Sequence, residues 1–144
     1  MAKKQISEDV AVKDLIVFLK KHLTKEFRRG TISDEKIKED YIDVIESIED
    51  GNLVVDENGT LNYSLYWPLY ADAEDKSLVK KEITFKERIK GATRTLLMNG
   101  LDPKKDLGTY MVVVISHITG LSKTEVQLLE KEDYEVLNQI CSVF

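Results

Sequence analysis

The run Leu53-Val54-Val55-Asp56-Glu57-Asn58-Gly59-Thr60-Leu61-Asn62-Tyr63 reads as a β-hairpin with two competing registers. If Asn58-Gly59 is a two-residue turn, Val55 opposes Asn62 and the apolar faces mismatch. If the loop is Glu57-Asn58-Gly59, a type I turn with Gly59 left-handed at a bulge, Val55 opposes Leu61 and Leu53 opposes Tyr63. All four apolar side chains then share one face. A slip of one residue sends a strand's whole apolar set to the wrong side, so the three-residue loop is the expected one. A lone hairpin is marginal in water. A third strand is expected from Val79 to Phe85, where Val79, Lys81, Ile83 and Phe85 fall on alternate positions.

Between the hairpin and that strand lies Tyr66-Trp67-Pro68-Leu69-Tyr70. Proline has no N–H to give to a central ladder, so the strand should end at Pro68 or lie at an edge there. The acidic stretch Asp72 to Asp75 reads as an exposed, mobile loop. Tyr66, Trp67 and Tyr70 have two readings: core aromatics, or anchors for a partner, since such residues are enriched at binding hot spots.

Upstream, a helix is expected from Glu8 to Thr24, capped by Ser7, with Glu8 and Asp9 at the positive end of its dipole. Its inner face is Val12, Leu15, Ile16, Leu19 and Leu23. A second helix, Asp34 to Asp50, is capped by Ser33 and ended by Gly51, with Ile37, Tyr41, Val44, Ile45 and Ile48 as its stripe. Its other side is strongly acidic, which suits either a solvated surface or one that meets a basic partner.

Downstream, Thr84 and Glu87 have capping-box spacing, predicting a helix from Phe85 to Asn99 with Ile89, Ala92, Leu96 and Leu97 inward and Gly100 at its end. Asp102-Pro103 supplies the next start. Leu107, Met111, Val114, Ile115 and Ile118 share one face of that helix, and Gly120 stops it. Ser122 and Glu125 form a second capping box, with Leu121 and Val126 placed as a hydrophobic staple. After a charged break, Glu130 to Asp133, a last run carries Tyr134, Leu137, Ile140, Cys141 and Phe144 on one face, so Phe144 should be docked. The fold class is α+β: one domain over 1–144, with N-terminal helices in 7–50, a small antiparallel sheet of about three strands in 53–85, and a helical C-terminal half in 85–144. Five or six helices are expected.

The 144 residues are enough to bury one core. The net charge of -5, with Lys and Arg spread among the acids, argues against nucleic acid as a partner. A single cysteine allows no intramolecular disulfide. No apolar run of about 18 residues exists to span a membrane, and the N-terminus lacks a signal-peptide core, so a cytoplasmic protein is expected. His22 and His117 lie beside apolar stripes, and no metal-ligand spacing occurs. Cys141 has apolar neighbours, as an inert buried thiol would. Gly91 and Gly108, isolated inside helical patterns, suggest close packing or a mild cost to the helix. There is no phosphate loop and no nucleophile elbow. No catalytic, cofactor-binding or metal residue is assigned, and no enzyme is expected.

Three pieces in residues 79–144 carry a resemblance: Ile83-Thr-Phe-Lys-Glu-Arg-Ile89, Val114-Ile-Ser-His-Ile-Thr-Gly-Leu-Ser122, and Leu128-Leu-Glu-Lys-Glu-Asp-Tyr-Glu-Val-Leu137 with Phe144. In this order they resemble the tail assembly chaperones of long-tailed bacteriophages, the Mu-like and P2-like group. The N-terminal helices match no part of that pattern. The resemblance implies a cytoplasmic factor, absent from the finished virion, that binds and shields the tape measure protein during tail assembly. It points to the surface around Leu121, Tyr134 and Leu137 as the partner site, each of which is equally readable as core. Two alternatives stand beside it: a structural tail or head–tail completion protein, and a bacterial regulatory adaptor using the acidic second helix. Self-association is open in each.

Overall fold

The computed structural model describes residues 6–70, 78–86, 89–102 and 104–144. The expected Asp72–Asp75 loop lies outside the described residues. Two helical pairs come first: α1 (Glu8–His22) with α2 (Thr24–Arg29), then α3 (Asp34–Asp40) with α4 (Ile42–Glu49). Strands β1 (Leu53–Val55), β2 (Leu61–Tyr70) and β3 (Leu78–Thr84) follow, and then α5 (Gly91–Leu97), α6 (Leu107–Thr119), α7 (Lys123–Gln127) and α8 (Lys131–Cys141). The fold is α+β. The sheet is antiparallel, in the order β1-β2-β3.

The hairpin takes the three-residue loop. Leu53 pairs with Tyr63 and Val55 with Leu61. Asp56 closes the loop: its N–H donates to Thr60 O at 3.0 Å, and its carboxylate accepts from the N–H groups of Asn58 and Thr60. Gly59 has φ +78°, and a Cβ there would stand 3.3 Å from the Val17 carbonyl oxygen and 3.4 Å from Phe18 Cα. Glycine is therefore needed twice over, for the turn and for the approach to α1. The inner face of the sheet, Leu53, Leu61, Tyr63, Leu65 and Ile83, joins one core with the buried faces of α1, α4, α6 and α8.

The first N-terminal helix ends close to its expected limit with an unexpected short α2 after it, and the second is broken where continuity was expected. The first ends at His22, since Leu23 sits at φ -112°, ψ 42° and Thr24 donates its hydroxyl to Lys20 O at 2.9 Å. A threonine bonded back to the preceding turn competes with the helix for that carbonyl. The second breaks at Tyr41 (φ -125°, ψ 35°). Its restart is capped from afar: Gln139 Oε1 accepts from Asp43 N at 3.1 Å and Val44 N at 3.2 Å, and Gln139 Nε2 donates to Asp43 Oδ2 at 2.7 Å. The breaks raise the number of helices among the described residues to eight, above the expected five or six.

Three further boundaries need correction. The helix expected from Phe85 begins only at Gly91. Phe85 instead stacks on Phe144 with ring centroids 6.4 Å apart, and Lys86 N–H donates to Ile118 O at 2.9 Å, so tertiary contacts hold the chain non-helical where a capping pattern suggested a start. Ala92 and Leu96, expected inside, are exposed. The next helix starts at Leu107, because Asp102 spends its carboxylate on Lys104 N and Lys105 N in a separate turn. Glu130–Asp133 is no break, since Lys131, Glu132 and Asp133 form the first turn of α8. Strand β2 passes through Pro68 to Tyr70, but β1 reaches only to its early residues, with Asn52 O accepting from Ser64 N. Past Ser64 the strand has no β1 neighbour, which is how the proline is accommodated. Gly91 and Gly108 are not close-packed, since a Cβ on either would meet nothing within 4 Å.

The C-terminal corner is built as expected. Gly120 has φ 79° and its N–H donates to Ser116 O. Ser122 and Glu125 make both bonds of the capping box, while Leu121 and Val126 are buried beneath it. Space is free around Gly120, so only backbone strain opposes substitution. Gly120→Val should lower stability by more than about 1 kcal/mol, because a β-branched residue resists the left-handed region. A melting midpoint equal to that of the unsubstituted protein would refute this.

Candidate partner-binding surfaces

Asp133 organises the first surface. It is fully buried at the start of α8, on the same helical face as Val136, Leu137 and Ile140. Its Oδ1 accepts from the Tyr63 hydroxyl at 2.6 Å and from Tyr66 N at 2.9 Å, and its Oδ2 accepts from Trp67 N at 3.0 Å. Two successive N–H groups turned to one carboxylate belong to a strand out of regular alternation, and the pairing of β2 with β3 shifts register between Ser64 and Leu69. The carboxylate thus takes the place of a neighbouring strand. A buried charge is tolerable when hydrogen bonds replace its hydration. Burial first, and then the bond to Asp133, hold the Tyr63 phenol far above its usual pKa. The Tyr66 phenol is raised by burial and by its 2.6 Å bond to Asp50.

This bracket presents Tyr66 and Trp67 to a groove of about 550 Å³ between α4, β2 and α8. Leu65 and Val136 form its floor, and Asp43, Glu46, Asp50 and Glu132 line it. Trp67 is 55% exposed. Aromatic faces beside carboxylates suit a cationic, partly apolar group.

The second surface is a hollow of about 470 Å³ lined by α5, the turn after it, α6 and Lys123 of α7. Its apolar lining is Leu96, Leu97, Leu101 and Val113, and Leu96 is 72% exposed. His117 lines it too, its pKa lowered by burial and then by nearby Lys86.

The six residues singled out from sequence separate clearly. Tyr66 and Trp67 stand together at the first groove. Tyr70 ends β2, and its side chain lies outside the described residues. Tyr134 is half-buried on α8. Leu121 is 2% exposed and Leu137 fully buried, so both hold the core together and neither is offered to a partner. Asp133 and the second hollow were missed. Asp133 had a legible signal, an acid three, four and seven positions before Val136, Leu137 and Ile140 on an apolar stripe.

Cys141 is buried, and desolvation pushes its thiol well up. Among the described residues no group of three or more His, Cys, Asp or Glu is placed to hold a metal ion, and no helix is long and apolar enough to cross a membrane. Comparison with family models, curated proteins and solved structures finds no match to this chain.

Proposed function

We propose that this protein is a non-catalytic binding protein of phage tail assembly that covers an apolar stripe on the tape measure protein until the tube forms around it. The observation that carries the reading is the hollow beside α5 and α6, with Leu96 largely exposed, inside the stretch whose sequence resembles the tail assembly chaperones. A long helix with a bare apolar stripe aggregates unless a partner covers it, and a groove between helices can do so. The contact residues on this reading are Leu96, Leu97, Leu101 and Val113, in place of Leu121 and Leu137. Such a factor acts in the host cytoplasm and leaves before the virion is complete.

Co-expression with the tape measure gene is the test. The expected result is a soluble partner and a shared peak on gel filtration that persists at moderate salt, since apolar burial is little screened. A partner equally insoluble with and without this protein, and no complex, would end the chaperone reading. Mass spectrometry of purified particles separates it from a structural tail or completion protein, which would remain in them. The acidic groove at Trp67 favours a second reading, an adaptor that takes up a basic segment.

A further inference from the structure

We infer that the hollow beside α5 and α6 takes a helix whose apolar stripe is bordered by carboxylates. The inference rests on the binding reading above and names the chemistry of the partner. The lining contains no acid, and its ionisable side chains are His117 and Lys123. Lys86 stands close enough to His117 to act on its charge. Between residues 86 and 125 the chain carries seven Lys and Arg against four acids, in a molecule of net charge -5.

Local roles occupy the acids described in this stretch. Asp102 accepts from two backbone N–H groups, Asp106 accepts from Asp102 N at 2.8 Å, and Glu125 accepts from Ser122 N at 2.9 Å. Lys123, the lysine of the lining, has no such duty among the described residues. An ion pair does form between Lys38 and Glu8, at 3.0 Å, far from this surface in sequence. Lys123 therefore keeps its charge available in the lining of the hollow, beside Leu96, Leu97, Leu101 and Val113. With Asn99, Thr109 and Ser116 the lining is part polar, and an unpaired cation in it with no acid favours a partner that brings carboxylates beside its apolar residues and disfavours one that brings lysines. The acidic groove at Trp67 has the opposite preference, so the two surfaces select different partners.

The test uses the whole protein and three synthetic helical peptides with one common apolar stripe, flanked by Glu, by Gln or by Lys. Affinity is read by fluorescence anisotropy at low and moderate salt. The Glu-flanked peptide should bind about tenfold more tightly than the Gln-flanked one, as a few exposed charge pairs would give. The Lys-flanked peptide should be the weakest, and the spread should shrink with salt. Lys123→Glu should narrow or reverse the order. Leu96→Asp, at a position too exposed to disturb folding, should remove binding of all three. Equal affinities lost in Leu96→Asp would overturn the carboxylate inference and leave the apolar binding reading standing. No binding by any peptide, or binding indifferent to Leu96→Asp, would remove this hollow as the site for both. Tightest binding by the Lys-flanked peptide, lost in Trp67→Ala, would overturn the inference in favour of the other groove.

Discussion

Asp133→Ala is expected to lower the unfolding free energy by about 3–5 kcal/mol, because it orphans the Tyr63 hydroxyl and two backbone N–H groups inside the protein. Tyr63→Phe, which removes one of the three donors and leaves the carboxylate with two, should cost only about 1–2 kcal/mol. The double variant should resemble Asp133→Ala alone, since both substitutions act on one shared bond. Urea unfolding of the four proteins measures this. An Asp133→Ala loss below about 1 kcal/mol would show that water replaces the carboxylate and that the bracket does not hold β2.

Burial of the two phenols, and then their bonds to Asp133 and Asp50, give an alkaline signature. Folding raises the Tyr63 and Tyr66 phenols above their ordinary pKa. In the unfolded chain both lose their protons near pH 10, while the folded protein keeps them. The stability they contribute is therefore complete below about pH 10 and falls as pH climbs toward the folded values. Tyr63→Phe should flatten that fall.

Phe144→Ala is expected to cost about 3–4 kcal/mol. The ring is 8% exposed and lies 4.6 Å from the His22 ring, 5.7 Å from Phe18 and 6.4 Å from Phe85, between centroids. Removing it opens a hole bounded by α1 and the strand exit, which cannot close without moving both. Trp67→Ala is the contrast, a larger side chain that is mostly in water, and it should change stability by less than about 1 kcal/mol. If the two variants melt alike, Phe144 is not docked as described.

What was legible in the sequence follows a physical line. The hairpin register, the left-handed Gly120 and the Ser122–Glu125 box depend on neighbours within a few residues, and each is found as read. The break at Tyr41 was hidden because its cap, Gln139, lies 96 residues from Asp43 in sequence. The capping pattern at Thr84 misled because Phe85 and Lys86 are engaged by Phe144 and Ile118. At the candidate surfaces, Tyr66 and Trp67 could be suspected as partner anchors, and of the two Trp67 is exposed while Tyr66 is half-buried. Leu121 and Leu137 could not be sorted into core or surface, since an apolar stripe does not say whether another part of the same chain already covers it.

The Asp133 bracket also sets an order on synthesis. As the chain leaves the ribosome, Tyr63, Tyr66 and Trp67 emerge well before their acceptor, and α4 emerges before the Gln139 that caps it. Phe18 likewise waits for Phe144. These contacts of the N-terminal half form only once the C-terminal helix is made, whereas early domains commonly fold as units during synthesis. A chain stalled short of residue 133 keeps apolar faces and unpaired donors in the open, where proteases and holdases act on it. Emergence of α8 is thereby the step that lets the strand bracket and the α4 cap form.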